Sequence, residues 1–125
     1  MRKITDNSEY PGYLLKCQEE LLLDSGKLIS DFQVAYQTYG KLNSNKDNAI
    51  LICHALTGDQ FPAEESPITK KKGWWDLMVG PNRPIDTNKY FVICSNVLGG
   101  CVGTTGPNEI NPKTNKIYGP DFPTI

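Results

Sequence analysis

The chain has 125 residues, with 13 basic and 14 acidic side chains, so its net charge is −1. A chain of this length fits a single domain, and the near balance of charge gives no reason to expect nucleic acid or an anionic membrane as a partner. Small molecules are therefore the expected ligands. No apolar segment approaches the length needed to cross a bilayer.

The first part of the chain predicts an arm followed by a hairpin. Residues 1–12 are polar and lack an apolar centre, which indicates a loose arm rather than a targeting peptide. Residues 13–48 form the predicted hairpin region, in which apolar runs flank a turn at Ser25-Gly26. The alternation in residues 32–39 is typical of an antiparallel or edge strand. Its predicted buried face consists of Phe32, Val34 and Tyr36, and its predicted outward residues are Gln33 and Gln37.

Residues 49–125 hold the predicted strands and active-site loops, beginning with an unbroken apolar run. The run Ala49-Ile50-Leu51-Ile52-Cys53 does not alternate, which favours a strand covered on both faces, as in a parallel sheet flanked by helices. Small and turn-forming residues follow at 54–59. Because ligands in such sheets bind beyond the carboxyl ends of the strands, we expect chemistry in this loop.

Two features of residues 60–79, a lysine run and a tryptophan pair, suit either a ligand-binding role or a structural role. Lys70-Lys71-Lys72 is a candidate phosphate site, but no second basic cluster or aromatic platform supports it, so a solvated loop is favoured. Residues 74–79 predict a short helical turn in which Trp74 and Trp75 cover the sheet or a pocket wall. Packing is the expected role of such a pair.

A second apolar strand, residues 90–95, leads into a loop with glycines at positions 99, 100, 103 and 106. The two strands therefore feed two loops that could converge on one crevice. Neither Gly-x-Gly-x-x-Gly nor a P-loop pattern occurs, and Pro107 and Pro112 disfavour the helix that a phosphate cradle needs. A tight loop close to a ligand is favoured over a nucleotide site. Residues 108–125 predict turns, because their prolines exclude regular helix.

The cysteines and the single histidine bear on metal and acid–base chemistry. The four cysteines are scattered and follow no signal peptide, which predicts reduced, buried thiols in a cytoplasmic protein; they are Cys17, Cys53, Cys94 and Cys101. A zinc site needs clustered ligands, so no metal is expected. His54 is a candidate general base, but a structural role is favoured, in which it hydrogen-bonds its own loop and holds the loop's shape. No serine lies in a Gly-x-Ser-x-Gly elbow, so the chain has no Ser-His-Asp triad of its own.

Five motifs occur in the order and spacing of one enzyme family. They are Leu23-Asp24-Ser25-Gly26, Ala35-Tyr36-Gln37-Thr38-Tyr39-Gly40, Cys53-His54-Ala55-Leu56-Thr57-Gly58-Asp59, Gly73-Trp74-Trp75-Asp76 and Asn96-Val97-Leu98-Gly99-Gly100-Cys101. Shorter matches continue beyond them, so the resemblance covers about nine-tenths of the chain. On these motifs the chain resembles the amino-terminal third of the homoserine O-acetyltransferase family.

The resemblance implies an α/β fold, namely the amino-terminal part of an α/β-hydrolase domain. A β-hairpin would be followed by buried strands of a mostly parallel sheet with long loops. The implied reaction is acetyl transfer from acetyl-CoA to the hydroxyl of L-homoserine through an acetyl-serine, in cytoplasmic methionine biosynthesis. No cofactor is implied beyond acetyl-CoA as the acyl-donor substrate. The full-length form is expected to be a homodimer that binds neither nucleic acid nor a membrane.

The resemblance also implies roles for individual residues. The backbone N–H of Leu56 matches the donor of the family's oxyanion hole. The implied substrate-binding residues are Thr57, Gly58, Asn96, Gly99 and Gly100. The family's nucleophilic serine, aspartate and histidine lie further along than Ile125, so this chain alone is expected to be inactive.

Two alternatives to this function stay open at the level of sequence. A related acyltransferase would use a succinyl donor or a serine acceptor, because the residues that select those groups are expected beyond position 125. A hydrolase-fold fragment without activity would act as a binding module. In either case the apolar strands of the isolated chain would expose a face and an edge, which predicts poor solubility or a partly molten state.

Overall fold

The computed structural model describes residues 12–125 and the backbone of Ile4–Thr5. The predicted loose arm therefore lies outside the described residues, apart from Ile4–Thr5 and Gly12. The described part is rich in strands and contains one 3-10 helix, Gly119–Asp121. Its strands are β1 (Ile4–Thr5), β2 (Tyr13–Cys17), β3 (Leu21–Leu22), β4 (Leu28–Ile29), β5 (Phe32–Tyr39), β6 (Ala49–Cys53), β7 (Val79–Gly80), β8 (Ile85–Asp86), β9 (Phe91–Ser95), β10 (Ile110–Asn111) and β11 (Lys116–Ile117).

The chain divides into two compact units. Unit 1 consists of Met1–Ala35 and Asn96–Ile125, and unit 2 consists of Tyr36–Ser95. Strand β5 begins in unit 1 and ends in unit 2. No helix in the described part of the chain is long and apolar enough to span a membrane.

Unit 2 is built on three strands in the order β5-β9-β6. β5 runs antiparallel to β9, with Tyr36 opposite Ser95, whereas β6 runs parallel to β9, with Cys53 opposite Ser95. The two unbroken apolar runs of the sequence are thus adjacent parallel strands. The main sheet of the described residues is mixed. β6 and β9 are parallel, whereas β5 with β9 and β1 with β2 are antiparallel. The core of unit 2 consists of Ile52, Val79, Val92 and Cys94.

Strand β6 differs from its prediction. Only Ile52 is buried in it, whereas the neighbouring Leu51 is 63% exposed, so burial on both faces is wrong for this strand. β6 ends the strand order of the sheet. One face and one edge of β6 are therefore uncovered in the described part of the chain, as predicted for this strand. The same prediction is wrong for β9, which has a free edge on neither side because it lies between β5 and β6.

Strand β5 is antiparallel, as predicted, but it buries a different residue. Ala35 is fully buried, whereas Phe32, Val34 and Tyr36 are only half-buried. The alternation of the sequence mispredicts the buried residue because each of the other residues of β5 is half-buried, so neither face of the strand is fully solvated.

Unit 1 contains the predicted hairpin and a second one that the sequence did not reveal. β3 and β4 pair antiparallel, with Leu22 opposite Leu28, which confirms a hairpin around Ser25-Gly26. Residues 32–39 were predicted as part of its second arm, which is wrong, because β5 pairs with β9 instead. β10 and β11 also pair antiparallel, with Ile110 opposite Ile117. The strands of this second hairpin are two residues long, which is too short for an alternating pattern to show.

The four cysteines are free, but they differ in burial. Cys94 is fully buried in β9, whereas Cys53 and Cys101 are exposed, so the prediction of buried thiols is wrong for the latter two. The Cys94 thiol donates to the backbone oxygen of Asp59 at 3.8 Å. Burial, followed by the negative charges of Asp59 and Cys53, raises the pKa of the Cys94 thiol to about 12.

We expect Cys94 to resist alkylation in the folded protein. At pH 8, iodoacetamide should modify Cys53 and Cys101 and spare Cys94 until the chain is denatured, as measured by mass spectrometry of peptides. The free energy of unfolding should fall as pH rises from 9.0 towards about 12, since only the unfolded thiol loses its proton in that range. Labelling of Cys94 as fast as Cys53 in the native state would contradict both expectations.

We also expect the isolated 125-residue chain to associate through β6. Leu51→Lys places a charge on the uncovered edge strand and should reduce association, as measured by size-exclusion chromatography with light scattering. Leu77→Lys is the matched control, because Leu77 is 70% exposed but lies in a turn. A pure wild-type monomer with a sharp, cooperative unfolding transition would contradict this prediction.

Candidate functional site

The two loops singled out by the sequence begin at the same edge of the β6–β9 pair. Cys53 ends β6 directly opposite Ser95, which ends β9, and the strands are parallel. Residues 54–59 continue within unit 2, whereas residues from Asn96 onward belong to unit 1. The predicted convergence of the two loops on one crevice stays a prediction.

The loop after β6 is a tight turn centred on Leu56 and Thr57. The Gly58 N–H donates to the Ala55 carbonyl at 2.8 Å, which closes a four-residue turn. Neither central residue has a positive φ, as in a type I turn. Neither donates its N–H to another of the residues described here. The Leu56 side chain is 93% exposed, so this position contributes to the protein mainly through its backbone.

His54 is packed under this turn. Its ring is buried, and Nδ1 lies 2.6 Å from the Ala55 carbonyl, the oxygen that also accepts the Gly58 N–H. A Cβ at Gly58 would lie 3.0 Å from Cβ of His54 and 3.2 Å from its Nδ1. A side chain at position 58 would therefore require the ring to shift by a few tenths of an ångström. These contacts are those that the loop-shaping hypothesis for His54 requires.

Asp59 connects the turn to the rest of unit 2. Its side chain accepts the Phe61 N–H at 2.9 Å, and its backbone oxygen accepts the Trp74 indole N–H, also at 2.9 Å. The Trp74 ring stacks on Trp75, with centroids 5.6 Å apart and an angle of 17° between the planes. The sequence predicted that both indoles are packed, but Trp74 and Trp75 are each 39% exposed. It also missed that Trp74 holds the end of the candidate loop.

The lysine run shows no organised anion site. The Lys72 ammonium pairs with the Asp76 carboxylate at 2.8 Å, and its hydrogen bond lowers the pKa of Asp76. Lys70, Lys71 and Lys72 are all exposed. This arrangement agrees with the favoured solvated loop.

The loop after β9 is held by its backbone and by buried polar side chains. Asn96 is buried, and its N–H donates to the Ala35 carbonyl at 2.8 Å. The Gly99 N–H donates to the Thr105 carbonyl at 2.9 Å, and the Gly100 N–H donates to the Val97 carbonyl at 3.0 Å. A Cβ at Gly100 would overlap the side-chain oxygen of Asn96, so the close approach requires glycine there.

Sequence reasoning missed Thr104 and Thr105, which are both buried and both hydrogen-bonded to β5. The only sequence signal was their place between two glycines, Gly103 and Gly106, in a loop already expected to be tight. Buried hydroxyls are nearly always hydrogen-bonded, but the sequence does not name the partner.

Taken together, the described residues offer backbone donors but no complete catalytic set. Leu56 and Thr57 are exposed residues whose N–H groups donate to none of the described residues, and such donors suit an oxygen that carries developing negative charge. The single imidazole, His54, is engaged with its own loop, and no serine has the nucleophile-elbow sequence. Among residues 12–125 no group of three or more metal-ligating side chains lies together.

Curated relatives that match this chain are longer than it. A homoserine O-acetyltransferase of Pelagibacter ubique (strain HTCC1062) is 64% identical over 105 residues, which are 84% of this chain and 28% of that protein. One of Mesorhizobium japonicum is 56% identical over 120 residues, which are 96% of this chain and 31% of that protein. The chain thus spans less than a third of the length of these curated relatives. No protein-family model matches it.

Solved structures lead to the same family and fold. A crystal structure of homoserine O-acetyltransferase from Bacillus anthracis matches with a TM-score of 0.79 and 39% identity, over 90% of this chain and 31% of that one. Esterase E22 matches with a TM-score of 0.78 and 31% identity, over 100% of this chain and 33% of that one. By sequence identity and by structure, this chain belongs to the homoserine O-acetyltransferase family and has the α/β-hydrolase fold.

Proposed function

We propose that the protein containing this chain transfers an acetyl group from acetyl-CoA to the hydroxyl of L-homoserine, and that this chain supplies part of its oxyanion site. The observation that carries the proposal is the N–H of Leu56, which donates to none of the described residues and lies in an exposed turn at the carboxyl end of β6. The naming of relatives with up to 64% identity as homoserine O-acetyltransferases supports the choice of reaction.

The chemistry proceeds in two steps. A serine outside this chain forms a bond to the thioester carbon, the carbon–sulfur bond breaks, and CoA leaves as the thiol. The homoserine hydroxyl then attacks the acetyl-serine, which releases O-acetyl-L-homoserine and returns the proton to serine. Each step passes through a tetrahedral oxyanion, and the Leu56 N–H would stabilise it by roughly 3 kcal/mol.

The remaining loop residues complete the proposed site. Thr57 and Gly58 would lie beside the donor at the substrate pocket, and Asn96, Gly99 and Gly100 would form its neighbouring wall. The full-length protein would be a homodimer that acts in the cytoplasm, in methionine biosynthesis. Its ligands would be small molecules, with no cofactor beyond the donor substrate.

Hydrolysis is a second candidate, because esterase E22 matches the whole chain almost as well as the acetyltransferase structure does. Both reactions need the same oxyanion donor and differ in whether an alcohol or water takes the acyl group. An assay of the protein must therefore count transfer and hydrolysis separately.

The decisive experiment uses the protein expressed from the complete reading frame that contains this chain. Acetyl-CoA and succinyl-CoA are each offered with L-homoserine, with L-serine and with water alone, and both CoA release and O-acyl products are measured. We expect acetyl transfer to L-homoserine to dominate. A preference for succinyl-CoA, serine or water, or a frame without a serine in a Gly-x-Ser-x-Gly-like turn, would overturn the proposal.

In the same protein, we expect Leu56→Pro to lower kcat by about 100-fold or more, since it removes an oxyanion donor. Proline suits the first central position of a type I turn, so the loop should keep its shape. Leu56→Ala keeps the N–H and loses only an exposed side chain, so its kcat should stay within about twofold of wild type. Equal losses in the two variants, or full activity of Leu56→Pro, would remove Leu56 from the oxyanion site.

A further inference from the structure

The antiparallel ladder between β5 and β9 ends in an irregular pair, Ala35 and Asn96. The ladder places Tyr36 opposite Ser95, so Ala35 and Asn96 are the next pair along. The Asn96 N–H donates to the Ala35 carbonyl at 2.8 Å. A regular pair of this kind would also exchange the reverse bond, from the Ala35 N–H to the Asn96 carbonyl.

The hydroxyl of Thr104 takes the place of that reverse bond. Its oxygen accepts the Ala35 N–H at 2.9 Å and donates to the Asn96 carbonyl at 3.0 Å. Thr104 is fully buried, so water does not compete for either partner. One hydroxyl therefore satisfies both backbone groups while holding them apart.

Beyond this point β5 pairs with the returning part of the loop. The Thr105 N–H donates to the Gln33 carbonyl at 2.9 Å, and the Gln33 N–H donates to the Thr105 hydroxyl at 2.8 Å. The Gln33 side-chain amide also donates to the Gly103 carbonyl at 3.0 Å. The chain thus leaves the sheet at Asn96 and rejoins it at Thr104, and the loop 97–103 lies between these two points.

We propose that Thr104 is a positioning residue that sets where Asn96 leaves the sheet, and thereby the place of the loop with Gly99 and Gly100. The proposal rests on the proposed function, in which this loop is a wall of the homoserine pocket. Without the hydroxyl, the Ala35 N–H and the Asn96 carbonyl can bond directly. The ladder then gains one regular bond, and Asn96 moves towards β5 and away from its place in the wall.

The test compares Thr104→Val, Thr104→Ser and Thr105→Val in the protein from the complete reading frame. Valine has the shape of threonine but no hydroxyl, and serine keeps the hydroxyl. Thr105→Val is the matched control, because it removes a buried hydroxyl that also bonds to β5 but does not contact the Asn96 carbonyl. Each variant is measured for thermal stability and for kcat and KM.

We expect Thr104→Val to raise the KM for L-homoserine by about tenfold at nearly unchanged kcat, since a displaced wall weakens binding of the ground state and transition state alike. Thr104→Ser should restore most of the wild-type KM. Thr105→Val should lower the melting temperature at least as much and leave KM within about twofold. Equal KM values for the two valine variants, or no rescue by serine, would overturn the proposal.

A second measurement does not depend on activity. The rates of amide hydrogen exchange at residues 96–100 should differ from wild type in Thr104→Val. They should equal the wild-type rates in Thr105→Val and Thr104→Ser. If the wild-type protein transfers no acetyl group but the exchange pattern holds, the proposed function fails and the positioning role stands. If acetyl transfer is normal and exchange at 96–100 is unchanged in Thr104→Val, the positioning role fails alone.

Discussion

The parallel pairing of β6 with β9 is the constraint on which the rest of the structure depends. It brings Cys53 and Ser95 to one edge of the sheet, so the chain must turn away immediately beyond each of them. The chain turns away differently after the two strands. After β6 the chain makes a four-residue turn over the ring of His54, whereas after β9 it leaves the ladder around a threonine hydroxyl and returns to β5.

In both loops, side chains contact backbone groups that no longer have a hydrogen-bond partner in the sheet. The Ala55 carbonyl accepts from the Gly58 N–H and lies against Nδ1 of His54, and the Asn96 carbonyl accepts from a hydroxyl. Because buried backbone groups are costly to leave without partners, these contacts fix the loops more firmly than their glycine content suggests. The N–H of Leu56 stands out because it donates to none of the described residues, although it lies in a turn whose residues are exposed.

The sequence predicted those features that depend on local pattern. The apolar runs located β6 and β9 and their parallel relation, and the polar stretches that follow them located both loops. The sequence could not predict that Ala35 is the buried residue of β5, because burial depends on what packs against the strand and not on its own alternation. Nor could it predict the roles of Thr104 and Trp74, whose partners lie on distant segments and leave no periodic trace.

The bonds between β5 and the returning loop also constrain the order of assembly. Gln33 and Thr105 are 72 residues apart in the chain, so closing this contact costs about 2 kcal/mol more in chain entropy than closing a short hairpin. Contacts of such long range form after local ones and slow folding. The loop after β9 therefore takes its final shape only once the strands between those residues have paired. We therefore expect a partly folded chain to form its sheet before the loop 97–103 is in place.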